Sequence, residues 1–373
     1  MKLFANIIRI LVGIEFMFSG FVKVVDPYGT GLKLQEYFEV FAADLPVLSG
    51  FFEFFAHNAQ TLSLIFCATE LVLGVALLVS FRMRITAWVA LGLMTFFAFL
   101  TFYSAYFNKV TDCGCFGDFL KLDPWSSFWK NVVAITLISV IFTYRKKYQP
   151  LNISGIIVGI STAVAFGIGM YALNYLPPID FLAYAEGLNI QQQMQPTGVK
   201  PKIEYTFFDK DVDGEISAEE FLMDTNRYKY VDSEILNQSK LTPKITDYSV
   251  SDIKGSDVTE STFSGAKVFI IFKKTDYVSD SQIEEIRALE NSFSKNGSEV
   301  KPMLLTSLVS SQFEGFRKSN NLSSPVYNID EKVLKTMART NPCIILLENG
   351  TIRKKWGKGN LPSSDDVQAA LSK

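Results

Sequence analysis

Residues 341–359 have the sequence NPCIILLENGTIRKKWGKG, two runs of strand-forming residues joined by Asn349-Gly350. Asn-Gly is a strong signal for a two-residue hairpin turn, because both central residues of that turn take positive φ. Upstream of the hairpin, the apolar pattern alternates between strand and helix periods. Strands are predicted at 245–252, 267–272 and 300–307, and helices at 280–297 and from about 363. The C-terminal third of the chain therefore predicts an α/β soluble domain.

The N-terminal half has a different composition. The chain has 373 residues, is 48% hydrophobic with 32 Phe, and carries a net charge of −2, so no nucleic-acid partner is expected. Its apolar residues concentrate in five runs, each close to the roughly 20 residues that a membrane-spanning helix needs. Those runs are about 4–24, 60–80, 85–107, 126–144 and 153–175. Arg9 and Glu15 interrupt the first run and no small-residue cleavage site follows it, so we expect a retained helix rather than a secretion signal.

Lysine and arginine set the expected orientation of these helices. Arg82 and Arg84 fill the short turn between the second and third runs, a cluster at 145–147 follows the fourth, and Lys2 precedes the first. Basic loops are retained in the cytoplasm. We therefore expect a bacterial inner-membrane protein with a cytoplasmic N-terminus, and with everything after residue 176 in the periplasm.

The chain divides into four predicted parts. Residues 1–178 form the transmembrane helical domain, and 179–200 form a linker along the membrane surface. Residues 201–244 form a hairpin-containing extension, and 245–373 form the α/β domain.

The extension contains a weak match to a calcium loop. Its acidic positions are Asp209, Asp211, Asp213 and Glu220. An EF-hand needs a helix on each side of the loop, whereas the preceding residues are aromatic and β-branched. Asp213-Gly214 is a hairpin signal. A plain hairpin is therefore favoured, and no metal site is.

Two of the four cysteines lie in DCGCFGD, residues 112–118, between two apolar runs. Cys113 and Cys115 would face the oxidising compartment, where a disulfide persists. Three interpretations stay open: a strained and therefore labile redox pair, a structural bridge to Cys67 in the second run, and a metal site. The metal site is disfavoured because no histidine is near.

Two carboxyls lie at mid-membrane depth by helix rise, Glu15 in the first run and Glu70 in the second. A charge at that depth costs several kcal/mol, so both should face the bundle interior, with Arg9 a candidate partner for Glu15. Proton handling beside a redox reaction and structural helix–helix bonding are equally compatible with this placement.

The order of elements in 245–373 resembles the thioredoxin-like fold, with Pro342 at the position of the family's cis-proline. The chain departs from that family at the catalytic position. After 267–272 it has KKTDYVSDS in place of Cys-x-x-Cys, and Cys343 is the one sulfur near that edge. The resemblance therefore implies a docking role rather than dithiol exchange by this domain.

Residues 1–147 resemble the DoxX/MauE group of small membrane proteins. The resemblance lies in Gly13, Gly20 and Lys23, in the intramembrane Glu70, and in the Cys-Gly-Cys-Phe-Gly loop. It implies a four-helix core associated with disulfide formation in periplasmic partners. A MauE-like unit followed by a fifth transmembrane helix and a thioredoxin-like domain without Cys-x-x-Cys is similar to a group of Bacteroidetes proteins.

Two functional hypotheses follow. The first is a thiol–disulfide oxidoreductase in which Cys113 and Cys115 exchange with the thiols of an envelope protein. Electrons would leave through Cys67 or directly to a quinone, while the soluble domain holds the partner. The second is non-enzymatic, a scaffold subunit of an envelope complex whose cysteines are merely bridged and whose thioredoxin-like domain is a docking module.

Overall fold

The computed structural model of the chain describes residues 2–110, 123–196, 198–237, 241–293 and 299–372. The described residues of the N-terminal part are mainly helical, and each of the five predicted apolar runs forms a helix. The helices are α1 Lys2–Val25, α2 Pro27–Asp44, α3 Ser49–His57, α4 Ala59–Leu78, α5 Met83–Phe107, α6 Pro124–Tyr144 and α7 Ser154–Tyr175.

By length and composition, α4, α5, α6 and α7 are apolar enough to cross a membrane. Helix α1 carries four charged side chains, yet it runs antiparallel to α4 over the same length. Arg9 of α1 lies against the carbonyl of Leu77 near the end of α4, and Val24 packs beside Cys67. Because α4 spans the apolar thickness, α1 crosses it as well.

The C-terminal part is a sheet covered by helices on both faces. A short helix, α8 Ile190–Gln193, and a separate three-stranded sheet precede its strands. Its elements are β4 Val250–Asp252, β5 Ala266–Phe272, α9 Asp280–Phe293, β6 Val300–Thr306, α10 Ser310–Ser319, β7 Val326–Ile329, α11 Glu331–Met337, β8 Cys343–Glu348, β9 Thr351–Trp356 and α12 Ser364–Leu371.

The sheet order is β9-β8-β5-β6-β7-β4, with β5, β6 and β7 parallel and the other pairs antiparallel. Helices α9 and α12 pack on one face and α11 on the other. The Asn341–Pro342 peptide is cis, as predicted, and Asn349 and Gly350 both have positive φ at the hairpin turn. This arrangement is the thioredoxin-like fold. Strand β7, a short internal strand after Pro325, is absent from the predicted order.

The extension forms its own antiparallel sheet, in the order β2-β1-β3. Its strands are β1 Ile203–Asp209, β2 Gly214–Ala218 and β3 Tyr228–Ile235. The predicted hairpin is confirmed, with Asp209 paired to Gly214 across the turn. The two first acids of the calcium-loop match contact an arginine instead, since Arg227 donates to the carboxylate of Asp209 and pairs with Asp211. The flanking elements are strands, so the calcium-loop match lacks its helices.

The structure differs from the predicted linker at 179–200. Residues 187–190 run along β9, with Gly187 N donating to Ile352 O at 2.7 Å and Ile352 N to Leu188 O at 2.9 Å. Tyr184 and Ile190 are buried in the core beneath the sheet. The apolar side chains of this segment have a place in the thioredoxin-like core, and the segment therefore belongs to that domain.

Candidate functional site in the bundle and at the domain junction

Close packing of α1 on α4 brings a lysine to Glu70. A Cβ added at Gly20 would lie 2.3 Å from the backbone nitrogen of Leu71, and one at Gly74 would lie 2.4 Å from that of Met17. Only glycine fits at such approaches. Because the helices touch, Lys23 Nζ reaches both carboxylate oxygens of Glu70, at 2.9 and 2.7 Å.

The Lys23–Glu70 pair is buried, with side-chain exposures of 6% and 4%. The ammonium group also lies 5.0 Å from the centre of the Phe97 ring. A charge pair at mid-membrane depth persists only where each partner offsets the desolvation of the other. Glu70 therefore faces the bundle interior, as predicted. Lys23 was a predicted motif position, but its pairing with Glu70 was not anticipated.

Glu15 has a different partner from the one expected. Arg9 donates to Asn6 Oδ1 at 2.8 and 3.0 Å and to the carbonyls at the end of α4, and so does not pair with Glu15. The partner of Glu15 is Lys130 of α6, at 3.5 Å, with both side chains half-buried. Lys130 is the only charged residue within the apolar run of α6, a signal in the sequence that could have indicated this contact.

A small cavity of about 40 Å³ connects these charges. Lys23, Glu70 and Lys130 line it, and Asn131 donates to Thr101 Oγ1 at 3.3 Å on its wall. A polar cavity needs roughly 10–15 Å³ to hold a water molecule, so this one has room for a short water chain.

Cys67 lies one helical turn from Glu70 on α4 and is a free, fully buried thiol. It packs with Val24, Ala68 and Leu71 and with Ala165 of α7. The structure therefore places Cys67 beside the Lys23–Glu70 pair, on the same side of α4.

Cys113 and Cys115 lie outside the residues that the structure describes. The residue that leads toward them, Val110, is buried against Leu34, Tyr37 and Leu100, all of which line the cavity. Asp123, on the far side of the segment, caps α6 two turns before Lys130, accepting from Ser126 N at 3.0 Å. Both ends of the segment 111–122 therefore lie at the end of the bundle nearest the cavity.

The thioredoxin-like domain docks on the membrane part with the edge where thioredoxins carry their cysteines. Arg339 pairs with Asp26, between α1 and α2, at 2.8 Å. The ammonium group of Lys273, the residue after β5, lies 3.9 Å from the centre of the Tyr28 ring and donates to Ala338 O at 2.8 Å. Enclosure at this junction holds the pKa of Lys273 well below its ordinary value.

A second contact joins the domain to the end of α7. Gly359 N donates to Asn174 O at 2.9 Å, and a Cβ at Gly357 would lie 2.8 Å from the Tyr175 backbone. The edge that carries the cysteines in thioredoxins is therefore covered, in this chain, by the chain's own membrane part. This junction was not predicted, because its partners are 313 positions apart in the sequence.

Cys343 is enclosed rather than presented at this edge. It is fully buried at the start of β8, and burial raises the pKa of its thiol. Asn341 closes the end of β5, accepting from Lys273 N at 2.8 Å and donating to Lys274 O at 3.0 Å. The segment 275–279 is a loop that leads into α9. Cys343 therefore has the character of a core residue.

The fold and the site define a polytopic membrane protein with a charged cavity in its helix bundle and a thioredoxin-like domain docked on it. Residues 1–144 match the family of the methylamine utilisation protein MauE. The membrane part of the chain is thus MauE-like, in agreement with the resemblance found in its motifs.

Among curated proteins, the chain is similar to Protein TlpB of Flavobacterium psychrophilum, with 26% identity over 172 residues. The match covers 44% of this chain and 43% of the relative, so the chain spans less than half the length of that protein.

Solved structures resemble about a third of the chain. StoA of Bacillus subtilis has 16% identity, covering 33% of this chain and 94% of StoA, with a TM-score of 0.27. The thioredoxin-related protein of Neisseria meningitidis serogroup B has 14% identity, with 33% and 99% covered and a TM-score of 0.27. Yeast Sco1 has 12% identity, with 34% and 92% covered and a TM-score of 0.28. The fold assignment rests on the strand order given above.

Proposed function

We propose that this membrane protein is a thiol–disulfide oxidoreductase that supports disulfide chemistry in envelope proteins, with Cys113 and Cys115 as the exchanging pair. The observation that carries the proposal is the placement of the Lys23–Glu70 pair beside the buried Cys67. The pair lines the small charged cavity, and this cavity lies at the end of the bundle where the described residues on both sides of 111–122 are found. Buried charges inside a membrane are expensive and usually mark a functional pathway.

The proposed reaction has two balanced steps, a thiol–disulfide exchange and a reoxidation. The thiolate of a partner dithiol attacks the Cys113–Cys115 disulfide, and its second thiol resolves the mixed disulfide, leaving the partner oxidised and the loop as a dithiol. Two electrons and two protons then pass to a quinone, which becomes a quinol. The quinone would approach from the half-exposed Glu15–Lys130 pair. Cys67 would serve as a relay thiol, and Glu15 and Glu70 would handle the protons.

The proposed orientation has the N-terminus in the cytoplasm and the thioredoxin-like domain in the periplasm of the inner membrane. It is supported by the position of the basic turns at 82–84 and 145–147, which lie at the opposite end of the bundle from the docked domain. Topology reporters fused after Lys147 and after Lys373 should give opposite signals. Two cytoplasmic signals would overturn this orientation and with it the periplasmic redox site.

Trapping tests the exchanging pair directly. Cys115→Ser and Cys113→Ser should each leave a single reactive thiol or a stable mixed disulfide with an envelope protein, visible as a shifted band on a non-reducing gel. Cys343→Ser is the matched control, since Cys343 is fully buried in the other domain and should trap nothing. Absence of any captured protein in both loop variants, at normal expression, would contradict the proposal.

The second candidate is a scaffold without redox turnover. The observation that favours it is the covered edge of the thioredoxin-like domain, where Asp26 and Tyr28 occupy the side on which thioredoxins bind partners. Under this alternative the loop cysteines are bridged structurally. Replacing either one should then lower the thermal stability of the protein without capturing a partner.

A further inference from the structure

The end of the bundle away from the thioredoxin-like domain has a strong imbalance of charge. Glu15 is the only acidic residue in 2–25, and none occurs in 71–111 or 124–179. Besides Lys2, the basic residues of this end are Arg9, Arg82, Arg84, Arg145, Lys146 and Lys147. Within the described residues, none of these six forms an ion pair with a carboxylate. In the part of the chain that the structure describes, this cluster of positive charge therefore has no counter-ion.

A cavity of about 570 Å³ opens within this cluster, between the start of α1, the α4–α5 turn and the α6–α7 turn. Its volume lies within the range of small-molecule sites. Its polar wall includes Arg9, Lys147 and Tyr148, and its apolar wall includes Leu78 and Leu151. The cavity is thus amphipathic, with cationic groups beside aliphatic ones, at the level where membrane helices end.

Arg9 gives the cavity a buried charge. The residue is only 7% exposed, and its acceptors are all uncharged, namely Asn6 Oδ1 and the carbonyls of Leu77 and Leu78. These bonds use four of the five guanidinium N–H donors, and the group also lies 5.5 Å from the centre of the Tyr148 ring. The hydrogen bonds fix the orientation of the group while its positive charge stays uncompensated. A guanidinium group binds phosphate through charge-assisted hydrogen bonds, and one N–H of Arg9 remains for such a bond.

Lys147 brings a second charge to the cavity from the α6–α7 turn. It is exposed, and its ammonium group lies 5.1 Å from the centre of the Tyr144 ring. Lys146, its neighbour, is equally exposed but does not line the cavity. The two lysines are adjacent and carry the same charge. They differ in that only Lys147 lines the cavity.

We propose that this cavity binds the phosphate headgroup of one anionic phospholipid, with Arg9 and Lys147 facing the phosphate and Leu78 and Leu151 against the start of an acyl chain. Basic pockets between membrane helices bind anionic headgroups for the same electrostatic reason. A lipid is favoured over a soluble anion because the cationic wall continues into an aliphatic one at the membrane boundary. The bound lipid supplies the negative charge that this end of the bundle lacks.

Native mass spectrometry of the full chain, purified in detergent and given equimolar phosphatidylglycerol and phosphatidylcholine, tests the proposal. The protein should retain one phosphatidylglycerol per chain in preference to phosphatidylcholine. Lys147→Gln should lower its apparent affinity about five-fold, which corresponds to ~1 kcal/mol for one basic residue at a membrane surface. Lys146→Gln should leave that affinity unchanged.

Several outcomes would overturn the proposal. Equal retention of the two lipids in the unmodified protein would remove the headgroup preference, and this measurement depends on no variant folding. Equal losses in the two lysine variants would indicate diffuse surface attraction rather than a site. Displacement of phosphatidylglycerol by millimolar inorganic phosphate, with no dependence on the acyl chain, would assign the cavity to a soluble anion instead.

Discussion

Asp26 and Arg339, 313 positions apart in the sequence, form an ion pair at 2.8 Å, with side-chain exposures of 13% and 3%. The pair fastens the thioredoxin-like domain to the elbow between α1 and α2. The domain therefore sits at the end of the bundle that holds the charged cavity, and the edge that would carry a Cys-x-x-Cys motif is turned toward the membrane part. While the domain is docked in this way, that edge is not open to a partner.

Breaking that pair should loosen the junction. Asp26→Asn leaves the Arg339 guanidinium buried without its carboxylate, and the loss of one partner of a buried pair costs about 3–5 kcal/mol. Hydrogen exchange at residues 26–30 and 338–342 should accelerate. Glu331→Gln is the control, because it removes an exposed pair with Lys335 on the neighbouring α11 and should cost no more than about 0.5 kcal/mol. Unchanged exchange in Asp26→Asn would show that the pair does not hold the domains together.

The close contact between α1 and α4 at Gly20 should tolerate no side chain. The added Cβ of Gly20→Ala would lie 2.3 Å from a backbone nitrogen of α4, so α1 and α4 must separate and the Lys23–Glu70 pair must lengthen. We expect a fall of several degrees in melting temperature in detergent, from overpacking on the order of 2–3 kcal/mol. Gly92→Ala, on α5, meets no atom within 4 Å and should be neutral or slightly stabilising. Equal melting temperatures for the two variants would contradict the close approach.

The lowered pKa of Lys273 predicts a dependence of stability on pH. Between its lowered folded pKa and its ordinary value of 10.5, the unfolded state binds more protons than the folded one. Stability therefore rises as the pH rises through that window and is full above 10.5. Thermal unfolding between pH 7 and 10 should show this rise in the unmodified protein and lose part of it in Lys273→Met.

The control for that pH dependence is Lys274→Met, the exposed neighbour, which should keep the rise. Arg339 and Asp26 face the same junction, where Arg339 lowers and Asp26 raises the pKa of Lys273. The two lysine variants must therefore be compared in a chain that keeps both residues. A parallel rise in all three proteins would assign the pH dependence to other groups.

The sequence predicted the elements better than their contacts. Apolar runs and the Asn349-Gly350 turn depend on residues close in the chain, so the five membrane helices and the β8–β9 hairpin were found from local pattern. Strand β7 is four residues long and follows a proline, too short for a periodic signal. Residues 187–190 were assigned to a linker because their backbone hydrogen bonds to β9 cannot be inferred from the amino-acid composition of the segment.

The site residues show the same difference between what a local pattern predicts and what depends on long-range contacts. Glu70 was identified from its depth in an apolar run, but Lys23 as its partner depends on the contact of two glycine-bearing helix faces. Glu15 was assigned to Arg9 by proximity along one helix, whereas its partner Lys130 comes from another helix 115 positions away. Interhelical pairing is set by packing, which a single sequence does not specify.

The most direct test of the redox proposal is the thiol state of Cys113 and Cys115 in the purified, reduced protein after it is mixed with a quinone. Alkylation and mass spectrometry report the thiols, and the absorbance of the quinone reports the electrons. We predict that one disulfide forms between the two cysteines for each quinone reduced, and that Glu70→Gln, which takes the charge from the Lys23 pair, slows this at least ten-fold. If both thiols stay reduced and the quinone is unchanged, the oxidoreductase proposal is wrong and the scaffold alternative stands.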